Sequence, residues 1–510
     1  MYMPLIQRET KRIFDIKDVP SFSEFYDLGI YPWKLVYRGY KSDWHEIKAP
    51  TISNPFRKRR SFRMNMAKAL SSELANLVWA EGSKVVVSLK NNDSEDDPLQ
   101  AYVDYVLKTN NFDSKMRQLV EECIALGGAT IRAYVDGEKD EEGNVIDGHV
   151  CLSYGMADKF VPLKWDNARV TEGVFIEKKA SKGWYWTRLE YHRWNGEEYV
   201  VSNEYYKTQN TSQDILGIRS PMCELWTLPD SVPFYNLKYG LFTYFRTSIA
   251  NNLDDNSPLG MSVFANAMDT IRALDIAFDS LIMEMKLGRK RIIVPASAVR
   301  YVRDAQGRPQ RYFDSDDEVF EALNVDSAEQ LKIQDNTVSL RIDEHIRAIN
   351  GLLNILSLQI GLSEGALSFD MAKGMKTATE VISENSKTFR TVKLMQRPIA
   401  QSIRELVDEI LDVSYAYDVH FVHEGVDYRI ADLIDRGYEV NVTFDDSIIQ
   451  DRSADLAEGL TLLQNGLISK KTYLTEYYGY TTEKADAELE LLKQEASTPR
   501  TLNIDWTGVE

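Results

Sequence analysis

The residues of this 510-residue chain that could carry chemistry are few and poorly spaced for it. His420 and His423, in HFVHE, stand three apart. Zinc peptidases need HExxH or HxxEH, with the histidines four apart and a glutamate as base. Here the pair lies beside strand formers, and a surface pair is expected. Gly374-Met375-Lys376-Thr377 has the lysine and hydroxyl of a phosphate-binding loop, but Met375 separates the glycine from the lysine. Asp254-Asp255 and the run Asp314 to Glu318 offer carboxylates of the kind that hold Mg²⁺ in nucleases, without an accompanying lysine or histidine pattern. DGEKDEEGNVIDG places no glycine at its sixth position, where a calcium loop needs one for its turn. No GxSxG occurs. Cys123, Cys151 and Cys223 lie far apart with no CxxC spacing, so neither a zinc site nor a disulfide framework is expected, and a reducing compartment is the default. The expectation is a non-enzyme with no metal and no cofactor.

Composition limits the partners. Sixty basic residues against 78 acidic ones leave a net charge of −18. Tight DNA binders neutralise phosphates and are usually basic. An acidic surface repels a duplex and suits simple solubility. The hydrophobic share of 44% is that of an ordinary globular chain of this length. The amino terminus lacks the apolar run of a signal peptide, and no stretch approaches about 18 uninterrupted apolar residues, so no membrane span is expected.

Two long amphipathic helices dominate the patterning. From Ser262 to Leu287, Phe264, Ala267, Ile271, Leu274, Phe278, Leu281 and Met285 alternate at spacings of three and four, opposite Asn266, Asp269, Asp275, Asp279 and Glu284. From Leu340 to Ile360, Ile342, Ile346, Ile349, Leu353, Leu356 and Ile360 repeat the pattern. At 1.5 Å per residue these are rods of roughly 39 and 31 Å. Ser262 is placed to cap the first, and Gly288 to end it.

The module between the rods, residues 289–339, concentrates Arg289, Lys290, Arg291, Arg300, Arg303, Arg308 and Arg311 in its first half. After the second rod comes the polar loop SEGALSFDMAKGMK, Ser363 to Lys376, with Gly365 and Gly374 permitting wide torsions. Thr377 and Glu380 form a capping-box pattern for a helix running to about Tyr415. Its apolar face is Val392, Met395, Ile399, Ile403, Leu406 and Ile410, and Pro398 inside it predicts a kink. Upstream, residues 1–60 form an aromatic lead ending in the basic run Phe56 to Arg63. A helix covers Met66 to Gly82 with Ala69, Leu74, Leu77 and Val78 on one side, and residues 99–126 read as further helix. From Gly127 to about Tyr239 the period falls towards two, and ATIRAYVDG, NVIDGHVCLSYG, GVFIEKKA and WYWTRLEYHRW read as strands. After the strand GYEVNVTF, Leu456, Leu460, Leu463 and Leu467 begin a helical carboxy-terminal part, ending in a tail expected to fray. The fold class is α+β.

Three segments carry a family resemblance: Ser257 to Pro295, Gly361 to Thr388, and Phe444 to Glu495. In that order, over about residues 20 to 497, they resemble the portal proteins of tailed bacteriophages, of the siphophage head-to-tail connector type. The resemblance implies a wing (61–256) after the lead (1–60), a first stem helix (257–288), a clip (289–339), a second stem helix (340–361), a tunnel loop (362–376), a long kinked helix with a wing return (377–448), a helical crown (449–497) and a flexible tail (498–510). It implies a ring, usually of twelve subunits, at one capsid vertex, through which double-stranded DNA is packaged and ejected. The clip basic patch would dock the terminase large subunit and then the head–tail connector or adaptor protein, while major capsid and scaffolding proteins meet the outside. Ser363, Glu364, Gly365, Asp370, Lys373, Gly374 and Lys376 would form the tunnel loop nearest DNA, with the lysines as weak phosphate contacts and Asp370 repulsive. Phe264, Ile271, Leu274, Phe278, Leu281, Ile346, Ile349 and Leu353 would pack the stem. The virion is the expected location, after assembly in the host cytoplasm. Two other classes stay open on the residues alone: a metal-dependent nucleic-acid enzyme using the acidic clusters, and a minor head protein without a channel. Leu274→Asp or Phe278→Asp is expected to abolish assembly by burying an unpartnered carboxylate.

Overall fold

The computed structural model describes residues 25–40, 42–49, 54–90, 97–139, 145–167, 169–209, 217–221, 225–226, 228–254, 257–288, 292–293, 300–303, 309–312, 334–335, 339–367, 378–445, 452–478, 480 and 482–497. Helices and antiparallel sheets alternate along it, as an α+β chain should.

The lead contributes a π-turn at Tyr26–Ile30, helices α1 (Tyr31–Tyr37) and α2 (Ser42–His45), and a small ladder of β1 (Glu46–Lys48) with β2 (Lys58–Arg60). Helix α3 (Met66–Val78) buries Ala67, Leu70, Leu74, Ala75 and Val78. Ala69, expected on that face, is exposed, because the stripe at three-and-four spacing starts from Ala67. Strand β3 (Lys84–Leu89) alternates exposed and buried residues, with Val85, Val87 and Leu89 inward. The single helix expected over 99–126 is two, α4 (Pro98–Thr109) and α5 (Phe112–Leu126). Asn111 takes a left-handed conformation at the break, and the Asn110 amide serves the neighbouring strand, donating to the Val150 carbonyl at 2.8 Å and accepting from the Leu152 amide at 2.8 Å.

Two sheets follow. Strands β4 (Gly128–Lys139) and β5 (Val145–Met156) form a hairpin, completed on the β4 side by β12 (Phe242–Arg246). Strands β6 (Phe160–Asp166), β7 (Arg169–Ser181), β8 (Trp184–Asn195) and β9 (Glu198–Thr208) make a meander, with β10 (Ile218–Ser220) and β11 (Ser231–Phe234) both pairing β9. Aromatic rings join the sheets: Phe160 lies 5.3 Å from Phe242 and 5.6 Å from Tyr244, and Phe175 lies 5.4 Å from Phe242. The four strands expected from sequence are β4, β5, β7 and β8.

The two rods are α6 (Met268–Leu287) and α7 (Ile342–Ile360). Between them lie short strands β13 (Ile292–Ile293), β14 (Arg300–Arg303), β15 (Pro309–Tyr312) and β16 (Gln334–Asp335), paired β13 with β16 and β14 with β15. The first rod is shorter than expected. Ser262 does not cap it; its hydroxyl accepts from the Phe264 amide at 3.3 Å in a turn, and a short 3₁₀ segment, Ala265–Ala267, leads into α6. Gly288 ends α6 with a negative φ of −78°, so its need is steric, since a Cβ there would sit 2.1 Å from the Leu340 side chain.

The remaining spine is α8 (Ala378–Ala416), which continues through Pro398 and buries all six residues of its expected apolar face. It packs against β4 and β12, then leads to β17 (His420–His423), β18 (Val426–Arg429), α9 (Ile430–Ile434) and β19 (Tyr438–Thr443). Strand β19 pairs β3 from Tyr438↔Leu89 to Thr443↔Lys84, tying the far end of the chain to its beginning. The carboxy-terminal helices are α10 (Arg452–Gln464), α11 (Lys470–Thr472), which passes into a π-turn, and α12 (Thr482–Ser497). Among the described residues, no helix is long and apolar enough to cross a membrane.

Candidate functional site

The rods α6 and α7 run antiparallel, since Glu284 near the end of α6 binds Arg341 at the entry of α7, at 3.2 Å. Their seam is tight at the root. Phe264, Ala267, Ile271 and Leu274 are buried, and so are Ile349, Leu353, Leu356 and Ile360. It loosens away from the root: Leu281 remains buried, Phe278 and Ile346 are partly exposed, and Met285 is exposed. A dry seam of aliphatic side chains makes the root stiff.

The middle of the polar face of α6 is covered, while Asp269 stays exposed. Asp279 receives Arg59 through both guanidinium nitrogens, at 2.7 and 2.6 Å, and the Phe62 amide at 2.9 Å. Asp275 accepts from the Met64 amide at 2.9 Å and lies 3.0 Å from His45. Both aspartates are buried. The hydrogen bond from Arg59 holds the Asp279 carboxyl below its usual range. Part of the basic run Phe56 to Arg63 is therefore a clasp that fastens the lead to α6. The periodicity of α6 gave no sign of it, because the partners are more than two hundred residues away.

A second fastening holds the exit from α7. Gly361 adopts φ +81°, and its carbonyl accepts from Thr391 Oγ1 at 2.6 Å. The Ser363 amide donates to Thr388 Oγ1 at 2.9 Å, while the Thr388 amide donates to Ser363 Oγ at 3.2 Å. Ser363 is thus buried against α8 rather than presented outward, whereas Glu364 is exposed and Gly365 has φ +74°. Asp370, Lys373, Gly374 and Lys376 lie outside the described residues, as does Thr377 of the capping box. Arg300 and Arg303 lie on β14 and Arg311 on β15, opposite Tyr301. Arg289, Lys290, Arg291 and Arg308 lie outside the described residues. Pro398 borders a cleft of about 730 Å³ that Arg246 and Arg397 also line.

Helix α8 carries an acidic group on the side facing the sheets. Glu409 accepts from Thr243 at 2.7 Å through one oxygen and has no partner on the other. Burial raises its pKa well above the ordinary glutamate value. Asp412 accepts from the amides of Lys238 and Tyr239 at 2.7 and 2.8 Å, yet burial still raises it. Asp408, which accepts from Tyr438 at 2.8 Å, is pushed up to about 6, by burial first, with Asp412 and Glu405 adding repulsion against the help of Tyr438 and Arg169. A carboxyl raised in the fold contributes stability that is full below its unfolded value near 4 and is lost as pH rises through about 6. Asp408→Asn should therefore raise the unfolding free energy at pH 8 by roughly 1 kcal/mol after allowing for partial exposure, and leave it nearly unchanged at pH 4. An equal gain at both pH values would contradict this sign.

None of these groups forms a nucleophile–base pair. His420 and His423 sit on strand β17, where residues three apart project to opposite faces, and His420 faces Asp427 at 3.1 Å. What the geometry offers is a stiff, clasped pair of rods and a stapled turn.

A family model described as phage portal protein, SPP1 Gp6-like, matches residues 33–499. No curated protein matches the chain.

Proposed function

The chain belongs to the phage portal protein family, SPP1 Gp6-like, and from that premise we propose that about twelve copies close into a ring at one capsid vertex. Portal proteins are structural components of the bacteriophage virion that serve genome packaging. In this reading α6 and α7 are the stem, residues 289–339 the clip, 362–376 the tunnel loop, and the helices from α10 onward the crown. The two-sheet body, with the helices packed on it, is the wing. Double-stranded DNA passes along the axis during packaging and ejection. The terminase large subunit and then the head–tail connector protein meet the clip, and the capsid and scaffolding proteins meet the wing.

The observation that carries this reading is the pair of antiparallel rods, clasped along α6 through Asp275 and Asp279 and stapled at the exit of α7 through Thr388 and Thr391. Such a pair transmits force without bending at its base, as a channel wall under a packaging motor must. The charge supports a conduit: about a dozen copies at −18 each give the ring roughly −200, which repels a duplex rather than gripping it. Because residues 361–363 are stapled, motion towards DNA starts at Glu364 and at the left-handed Gly365. Replacing residues 365–374 by a short linker should leave rings intact while lowering DNA packaged or retained per capsid in an in vitro packaging assay. Unchanged packaging and retention would remove the loop from the mechanism.

A further inference from the structure

The β4–β5 hairpin gathers three ligand-type side chains that their sequence spacing conceals. Asp136 pairs directly across the ladder with His149, and His149 and Cys151 are two apart on β5, so all three share one face of the hairpin. A carboxylate oxygen, an imidazole nitrogen and the thiol sulfur lie within 4.8 Å of one another. We propose that Asp136, His149 and Cys151 bind a divalent metal of borderline softness, zinc by its chemistry, with water in the fourth position.

The donor set selects the ion. One sulfur, one nitrogen and one oxygen suit zinc, whereas magnesium and calcium take oxygen alone. Zinc bonds of about 2.0–2.3 Å in a tetrahedron put ligand atoms roughly 3.3–3.8 Å apart. Closing from the observed spacing takes side-chain rotation of about 1 Å. Asp136 and His149 are exposed and Cys151 half-buried, so the side chains are free to turn and an ion can enter from solvent. Behind them Ala133 and Val150 are buried in the core, and β12 pairs β4 up to Arg132. A register shift between Asp136 and Glu138 marks a bulge, the device by which a strand re-aims a side chain. Tyr134 stands directly across the ladder from Cys151, on the same face. The bound ion would lock the two strands together towards the tip of the hairpin.

Cobalt(II) titration of the reduced, chelator-treated full chain tests this, read by the thiolate-to-cobalt charge-transfer band. One cobalt per chain, displaced by zinc, is expected. Cys151→Ser should abolish the band, while Asp136→Asn and His149→Ala keep it but weaken binding by about 10-fold or more. Circular dichroism establishes that each variant keeps the fold. Absence of the band in the wild type, its survival in Cys151→Ser, or unchanged affinity in both other variants would overturn the site.

Discussion

Protein carrying Ile276→Asp together with Leu358→Asp should fold as the wild type does and fail to form rings. Ile276 is 58% exposed in the protomer and Leu358 is 69% exposed, one on each rod. In the isolated chain both side chains already meet water. Two aspartates there cost only their helix propensity, about 0.5–0.7 kcal/mol each. In a ring built on these rods the same positions face a second copy, and each burial of an apolar side chain contributes about 1.5–3 kcal/mol. The substitutions remove that contribution and add carboxylates that lose their water without gaining a cation. The cost repeats at every interface, so closure is lost entirely rather than weakened. Circular dichroism and light scattering on one sample separate the two consequences: native helix content with the mass of a single chain is expected. Wild-type rings from the double variant would place the interface elsewhere.

Leu274→Asp should act on the protomer itself. Leu274 is fully buried at the root of the seam, beside the buried Ile271 on its own rod and facing a partner rod that buries Ile349, Leu353 and Leu356. Removing a buried leucine costs about 2–5 kcal/mol. An unpaired carboxylate in its place adds several more, because the cation of the clasp, Arg59, is already committed to Asp279. The sum rivals the whole stability of a typical domain, about 5–15 kcal/mol. The expected result is loss of the cooperative melt and rapid proteolysis within α6 and α7, against a milder shift for Leu274→Ala. A Leu274→Asp protein with wild-type protection and melting would show that the seam does not hold the rods. The sequence pattern alone assigned this position to assembly; its burial within one chain moves the effect to folding.

Much of the architecture follows from local patterning, and the exceptions share a cause. Three-and-four spacing located α6, α7 and α8, and alternation located β4, β5, β7 and β8, because each element buries a face whose period is written in neighbouring residues. What the pattern missed depends on partners outside the element itself. Asp275 and Asp279 stand opposite the apolar stripe, and nothing in its period shows that residues 59–64 cover them. Ser363 read as loop, yet Thr388 holds it. Strand β3 finds its partner β19 some 350 residues later. The break at Asn110–Asn111 turns on one amide that serves a distant strand. Asp136, His149 and Cys151 match no ligand motif because strand pairing, not spacing, brings them together. Tunnel-loop residues from Asp370 onward and half of the clip arginines, Arg289, Arg291 and Arg308, rest on family resemblance alone.

The mass and outline of the purified protein, by light scattering and negative-stain imaging, test the central claim most directly. The account predicts annular particles with an open centre and a mass of about 700 kDa, roughly twelve chains of 58.5 kDa. A compact, solid dimer would contradict it, and metal-dependent DNA cleavage by that dimer would replace the channel with an enzyme.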